Sequence, residues 1–193
     1  MSKVFNNFYT VSKTIGGKEI LAQFNGLSVA TQAGSRTKID GTDNTSMEKL
    51  AEYLFDYVIV EPKLSIKDFG KEKVGKTEKK VIDGVEYEAK FDGILTAVRA
   101  VDESYDDEND GTDIDKLAKY LFENIIVSPK ELTVDDFEDI NTFKKVIRFA
   151  QETMQGGDAW KEFSETIAFA NKVMNGQFRD KKERKPTKET SKG

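Results

Sequence analysis

The chain has no cysteine and no histidine, and its 193 residues include only three prolines and one tryptophan. Without cysteine there is no disulfide framework and no thiolate metal site. Without histidine the usual general base and the commonest zinc ligand are both missing. These two absences exclude most familiar hydrolase and oxidoreductase constellations. Long hydrophobic runs are lacking as well. The opening Met1-Ser2-Lys3-Val4-Phe5-Asn6-Asn7 has no apolar stretch of signal-peptide length, and no later segment approaches the roughly 20 apolar residues that cross a bilayer. The expected compartment is the cytoplasm, and no membrane partner is expected.

What is present suits a folded chain: 37% of residues are hydrophobic and 34% are charged, enough for a modest core. The formal charge of -5 is unevenly placed. Residues 179–193 carry seven basic and three acidic side chains, a net +4, which leaves the rest of the chain at -9. An acidic body repels phosphate backbones, so nucleic acid is not expected as the main partner.

The dominant signal is an internal repeat. Shifted by 67 positions, residues 17–63 align with 84–130 without a gap, and 20 of the 47 pairs are identical. Gly17/Gly84, Phe24/Phe91 and Gly26/Gly93 recur, as do Leu50-Ala51 with Tyr53-Leu54-Phe55 and Leu117-Ala118 with Tyr120-Leu121-Phe122. After Pro62/Pro129 the second copy gains one residue, and then Leu64-Ser65-Ile66-Lys67-Asp68-Phe69 answers Leu132-Thr133-Val134-Asp135-Asp136-Phe137.

Each copy opens with strand signals. Tyr87, Ala89 and Phe91 alternate with Glu86, Glu88 and Lys90, the period of a half-buried strand. Asn25-Gly26 and Asp92-Gly93 read as tight hairpin turns, and Gly16-Gly17 and Asp83-Gly84 punctuate the chain one strand earlier, so a three-stranded meander is expected. A helix follows. Thr45-x-x-Glu48 reads as its capping box in the first copy, and Met47, Leu50, Ala51, Leu54, Phe55 and Val58 fall on one face. Ile114, Leu117, Ala118, Leu121, Phe122 and Ile125 repeat that stripe, which reads as core rather than as a ligand site.

A shorter duplication lies behind the first. Phe143, Ile147, Phe149-Ala150, Met154 and Gly156 recur twenty positions later as Phe163, Ile167, Phe169-Ala170, Met174 and Gly176. Both stretches read as helices ended by glycine and joined at Gly156-Gly157. The fold class is therefore α+β: a first β-meander/hairpin plus helix repeat with its linker at 1–73, and a second repeat at 74–137. A helical hairpin at 138–178 and a disordered basic tail at 179–193 complete it.

Three motifs tempt a chemical reading. Gly70-Lys71-Glu72-Lys73-Val74-Gly75-Lys76-Thr77 satisfies the GxxxxGK[ST] pattern of a phosphate loop, but such a loop must leave a buried strand and open a helix. Here Glu78-Lys79-Lys80-Val81-Ile82 is patterned as a strand, at a linker between the two copies. The acidic run from Asp102 to Gly111 offers Asp106, Glu108 and Asp110 at calcium-loop spacing, yet its twelfth place is Leu117 where a bidentate glutamate is needed. Asp135, Asp136, Glu138 and Asp139 immediately precede a helix, where acidic side chains complement the dipole. No catalytic, cofactor-binding or metal-binding residue is expected.

The run Tyr120-Leu121-Phe122-Glu123-Asn124-Ile125-Ile126-Val127-Ser128-Pro129-Lys130-Glu131-Leu132-Thr133-Val134-Asp135-Asp136-Phe137, with Phe143-Lys144-Lys145-Val146-Ile147-Arg148-Phe149-Ala150 and Gln155-Gly156 behind it, resembles tail assembly chaperones of phages infecting Gram-positive bacteria. In that family a helix ends in a V-x-P-x-x-L segment, and an acidic-Phe step then leads to a helix finishing near a glycine. Asn175-Gly176-Gln177-Phe178-Arg179 looks like the same family's closing element. The resemblance covers about residues 115–179, and the duplicated N-terminal unit departs from the family's single-unit pattern. It implies a small cytoplasmic protein that binds the tape measure protein, a very long and largely helical chain, until tail tube subunits polymerise around it. Residues 143–154 against 160–174 either line a groove for such a partner or form internal core, and core is the preferred reading for most of them. Two other classes compete: a structural tail or connector subunit of the virion, and a nucleotide-binding enzyme.

Overall fold

A computed structural model describes residues 8–106, 108, 109 and 111–178, so the expected disorder of 179–193 lies outside the described residues. The first unit begins with a hairpin of β1 (Tyr9–Ile15) and β2 (Lys18–Phe24). It continues with α1 (Leu27–Arg36), α2 (Met47–Tyr57) and the short β3 (Ile59–Glu61), then closes on a single 3-10 turn at Ile66–Asp68. The second unit repeats this order: β4 (Thr77–Ile82), β5 (Val85–Lys90), α3 (Ile94–Glu103), a small ribbon of β6 (Tyr105–Asp106) and β7 (Gly111–Thr112), α4 (Ile114–Asn124), β8 (Ile126–Ser128) and a 3-10 turn at Val134–Asp136. Two longer helices follow, α5 (Ile140–Gln155) and α6 (Asp158–Met174).

The α+β class and the hairpin-plus-helix repeat stand, with two corrections inside each unit. The hairpin turns are Gly16-Gly17 and Asp83-Gly84, where Ile15 pairs Lys18 and Ile82 pairs Val85. Both central residues of each turn have positive φ (57° and 76°; 49° and 88°), as a two-residue turn matched to strand twist requires. Asn25-Gly26 and Asp92-Gly93 do not turn a hairpin. Gly26 (φ 89°) and Gly93 (φ 97°) instead redirect the chain into α1 and α3, helices that the periodicity left unread. The third strand is consequently no meander strand: β3 and β8 arrive after two helices and pair antiparallel to β2 and β5, giving the orders β1-β2-β3 and β4-β5-β8.

The two units agree side chain by side chain. Tyr53 Oη donates to the Val29 carbonyl at 2.9 Å, and Tyr120 Oη to the Thr96 carbonyl at 3.1 Å. Thr37 and Ser104, both buried, donate their hydroxyls back to the carbonyls of Ala33 and Ala100. Ser65 with Asp68, and Thr133 with Asp136, form equivalent capping boxes. Each unit also holds a triad of phenylalanine rings: Phe55, Phe69 and Phe163 in the first, Phe122, Phe137 and Phe143 in the second, with one stacked and two edge-on pairs in each.

Phe163 and Phe143 come from α6 and α5, and this exposes a crossing that the sequence order conceals. Helix α5 lies on β4, β5, α3 and α4 of the second unit, whereas α6 runs back over β1, β2, α1 and α2 of the first. The two helices follow one another across Gly156-Gly157, but each spends its buried face on a different unit. Residues expected to form either a groove or internal core are core: Phe143, Ile147, Phe149, Ala150 and Met154 in one cluster, Phe163, Ile167, Phe169, Ala170 and Met174 in the other. Trp160, just past the joint, packs against both clusters.

Gly156 makes that crossing possible. It sits at φ 60°, and a Cβ there would lie 2.5 Å from the Phe91 ring. Both the left-handed backbone and the ring demand glycine. Gly156→Ala is expected to cost about 2–4 kcal/mol in chemical denaturation, whereas Gly34→Ala inside α1, where nothing lies within 4 Å of the new methyl, should gain about 0.5–1 kcal/mol. Equal effects of the two would refute this reading of the joint.

Candidate interaction surface

The phosphate-loop letters do not make a phosphate loop. Residues 71–73 form a single 3-10 turn, a second such turn precedes them at Ile66–Asp68, and Thr77 already starts β4. Neither the preceding buried strand nor the following helix exists, so no row of helix amides is aimed at a phosphate. The segment borders an open hollow of about 430 Å³ with Lys73, Lys76 and Glu78 on its wall, but Lys73 Nζ is spent on the Gly156 carbonyl at 3.0 Å.

The acidic motifs are structural. Asp106 accepts from the Glu108 and Asn109 amides and from Asn109 Nδ2, closing its loop, while Asp107 and Asp110 lie outside the described residues. No group of three or more acidic side chains able to hold a metal occurs among the described residues. Asp136 accepts from the Thr133 amide and hydroxyl, and Asp139 caps α5 by accepting from the Thr142 amide at 2.9 Å. Asp139 takes the helix-capping role expected of this acidic group, whereas Asp136 closes the Val134–Asp136 turn and not the N-terminus of α5. The cap of α2 shifts by one residue, because Ser46, not Thr45, accepts from the Lys49 amide.

What the sequence did not reveal is the seam between the units. Helix α3 lies across α2 and the Ile66–Asp68 turn, so its C-terminus meets the N-terminus of α2. There the Asp102 carboxylate accepts from the Met47 amide at 2.6 Å, the Glu48 amide at 3.1 Å and the Ser46 hydroxyl at 2.7 Å. Two orphan amides of one unit's helix are thus satisfied by a carboxylate of the other, on the favourable side of the helix dipole. Arg99 binds Glu48 through Nε and Nη2 at 3.1 and 3.0 Å. On the N-terminal side of these polar anchors Ile94 and Val98 are fully buried in the first unit's core, and Leu95 packs against it. Asp102 and Arg99 sat unnoticed because their partners lie more than fifty positions away. The one available signal was that they replace Ser35 and Gln32 of the first copy.

The two units differ at equivalent positions. In the first unit α2 packs closely against three helices, α1, α3 and α6; in the second, α4 packs closely against only two among the described residues, α3 and α5, and lacks a helix in the place that α3 takes on α2. Positions covered at the seam are uncovered there. Ile66 is 4% exposed but its counterpart Val134 is 39% exposed, and half-buried Met47 corresponds to Ile114 at 51%. The N-terminus of α4 is capped locally, with Asp113 accepting from the Asp115 and Lys116 amides.

No helix among the described residues is long and apolar enough to cross a membrane. Comparison with protein-family models, with curated proteins and with solved structures found no match.

Asp102→Ala should destabilise the protein by about 2 kcal/mol, since it strips charged hydrogen bonds from a half-buried helix end. Hydrogen exchange should accelerate at the Met47 and Glu48 amides; unchanged exchange there would show that the cap is idle. A second expectation concerns acid. Hydrogen bonds from Ser65 to Asp68, Lys145 to Asp83, Thr133 to Asp136 and the Thr142 amide to Asp139 hold these carboxyls below the usual aspartate range. Their folded-state affinity for protons is lower than in the unfolded chain, so the stability they contribute is present above the ordinary aspartate value and is lost as pH falls through the depressed ones. Thermal melting should therefore hold level from neutral pH to about pH 5 and drop below about pH 4; a melting point that rises on acidification contradicts this.

Proposed function

We propose that the chain is a tail assembly chaperone of a phage infecting Gram-positive bacteria. It works without catalysis, in the host cytoplasm, by binding the tape measure protein and keeping it in solution until tail tube subunits assemble around it. The observation that carries this reading is the second unit. The residues resembling that family, 120–137, 143–150 and 155–156, fall in α4, β8, the Val134–Asp136 turn and α5 up to Gly156, and beside them a flank of α4 that could receive a helix stands open. A long partner with apolar helical stripes is the chemistry that suits such a flank. The acidic body disfavours nucleic acid as the main partner.

Co-expression tests the reading. The long helical tape measure protein, insoluble when made alone, should move largely into the supernatant when this chain is made beside it, and the two should co-purify. Unchanged solubility would overturn the proposal. Mass spectrometry of purified virions should find this chain absent; its abundance there would favour a structural tail subunit instead.

A further inference from the structure

We propose that the open flank of α4, between Ile114 at its N-terminus and Val134 on the neighbouring turn, is the seat for an amphipathic helix of the partner. That helix docks as α3 docks on α2. The partner's identity rests on the function proposed above, but the seat itself rests on the repeat. The first unit shows what this surface holds when filled: a helix with apolar side chains at i, i+1 and i+4 (Ile94, Leu95, Val98), and at i+5 a base, Arg99, paired with Glu48. The second unit presents the same apolar floor, Phe122 and Leu132 in place of Phe55 and Leu64, and Asp115 stands where Glu48 stood.

A second copy of this chain does not meet these requirements. Its own α3 is already used, and α1 offers Ser28, Thr31, Gln32 and Ser35 where α3 has Leu95, Val98, Arg99 and Asp102. Only Leu27, 70% exposed, keeps the apolar character of its counterpart Ile94. The polar face of α1 ends the array at one side, as terminal repeats do. The open seat therefore calls for a foreign helix.

Charge narrows the occupant further. At the filled seam an acidic residue at i+8, Asp102, supplies the cap of α2. The cap of α4 is already supplied by Asp113, and Asp115 stands beside it with its side chain exposed. An acid at i+8 would meet the carboxylates of Asp113 and Asp115, two charges of which Lys116, 3.9 Å from Asp113, offsets only one, and a base there would be attracted. The second seat thus selects an amphipathic helix that is basic at both i+5 and i+8, which differs from α3 and keeps α3 from occupying it.

The test uses the full chain and two synthetic peptides stabilised as helices. One has the sequence of residues 93–104; the other is the same peptide carrying lysine in place of Asp102. In a titration of isotope-labelled protein followed by NMR, the lysine peptide should shift amides of residues 114–123 and 132–136. At low salt it should bind at least tenfold more tightly than its acidic parent. Ile114→Asp combined with Val134→Asp, both at exposed positions, should weaken it by tenfold or more while leaving the melting temperature close to that of the parent protein. Absence of shifts up to millimolar peptide, shifts confined to the first unit, equal affinity for both peptides, or a protein dimer that buries Ile114 and Val134 would each overturn the assignment. Co-expression separates this from the broader reading. If the double variant keeps the tape measure protein soluble as well as the parent does, the seat is wrong and the chaperone stands. If neither does, the chaperone is wrong, and the peptide titration still decides the seat.

Discussion

Helix α3 is buried on two sides at once, and the rest of the molecule is arranged around that fact. Ile94 and Val98 face the core of the first unit, while Ala97 and Ala100 face that of the second. Burying one isoleucine and one valine on the far side contributes about 3–6 kcal/mol, enough to hold together two small units that are each marginal alone. The polar contacts at its C-terminus fix the angle. Asp102 accepts three hydrogen bonds at the N-terminus of α2, and a helix end provides amide donors in only one direction. Arg99 is half exposed and Glu48 a quarter exposed, so their pairing sets register more than it stabilises.

The crossing of α5 and α6 follows from the same seam. With α3 wedged between the units, the two sheets need separate covers, and the shorter duplication supplies two helices with matching faces. The chain reaches the second sheet first and turns back to the first through Gly156-Gly157. Phe91, at the end of β5, occupies the space beside Gly156, and Phe24 lies beside Gly176 in the same relation. The aromatic triads of the two units consequently take their third ring from different helices, Phe163 of α6 and Phe143 of α5, yet agree closely in geometry, with closest ring centroids 5.4 Å apart in both.

Much of this was legible in the residues. The repeat, the strand pair in each copy and the stripes of α2 and α4 follow from spacing alone, because each depends on neighbours within one element. Helix α1 was not legible: its Leu-Ser-Val-Ala-Thr-Gln-Ala-Gly-Ser-Arg run has a thin apolar stripe, and the Asn-Gly before it reads as a turn. Strands β3 and β8 are three residues long and take their identity from the sheet edge they join. The pairing of α5 with the second unit and α6 with the first is tertiary, and no local pattern encodes it. Asp102 was hidden at the head of an acidic run whose spacing invited a calcium-loop reading. The candidate surface was hidden for the same reason, since it is defined by which of two equivalent flanks is covered.

The function we propose draws its support from a repeat that fills one helix seat and leaves its twin open. The most direct measurement is hydrogen exchange on the full chain, alone and in complex with the co-expressed tape measure protein. The account predicts slower exchange in the complex, concentrated in the N-terminal half of α4 and in residues 132–136, with the α2–α3 seam unchanged. Protection that falls instead on α5, α6 or the first unit, and spares α4, would contradict it.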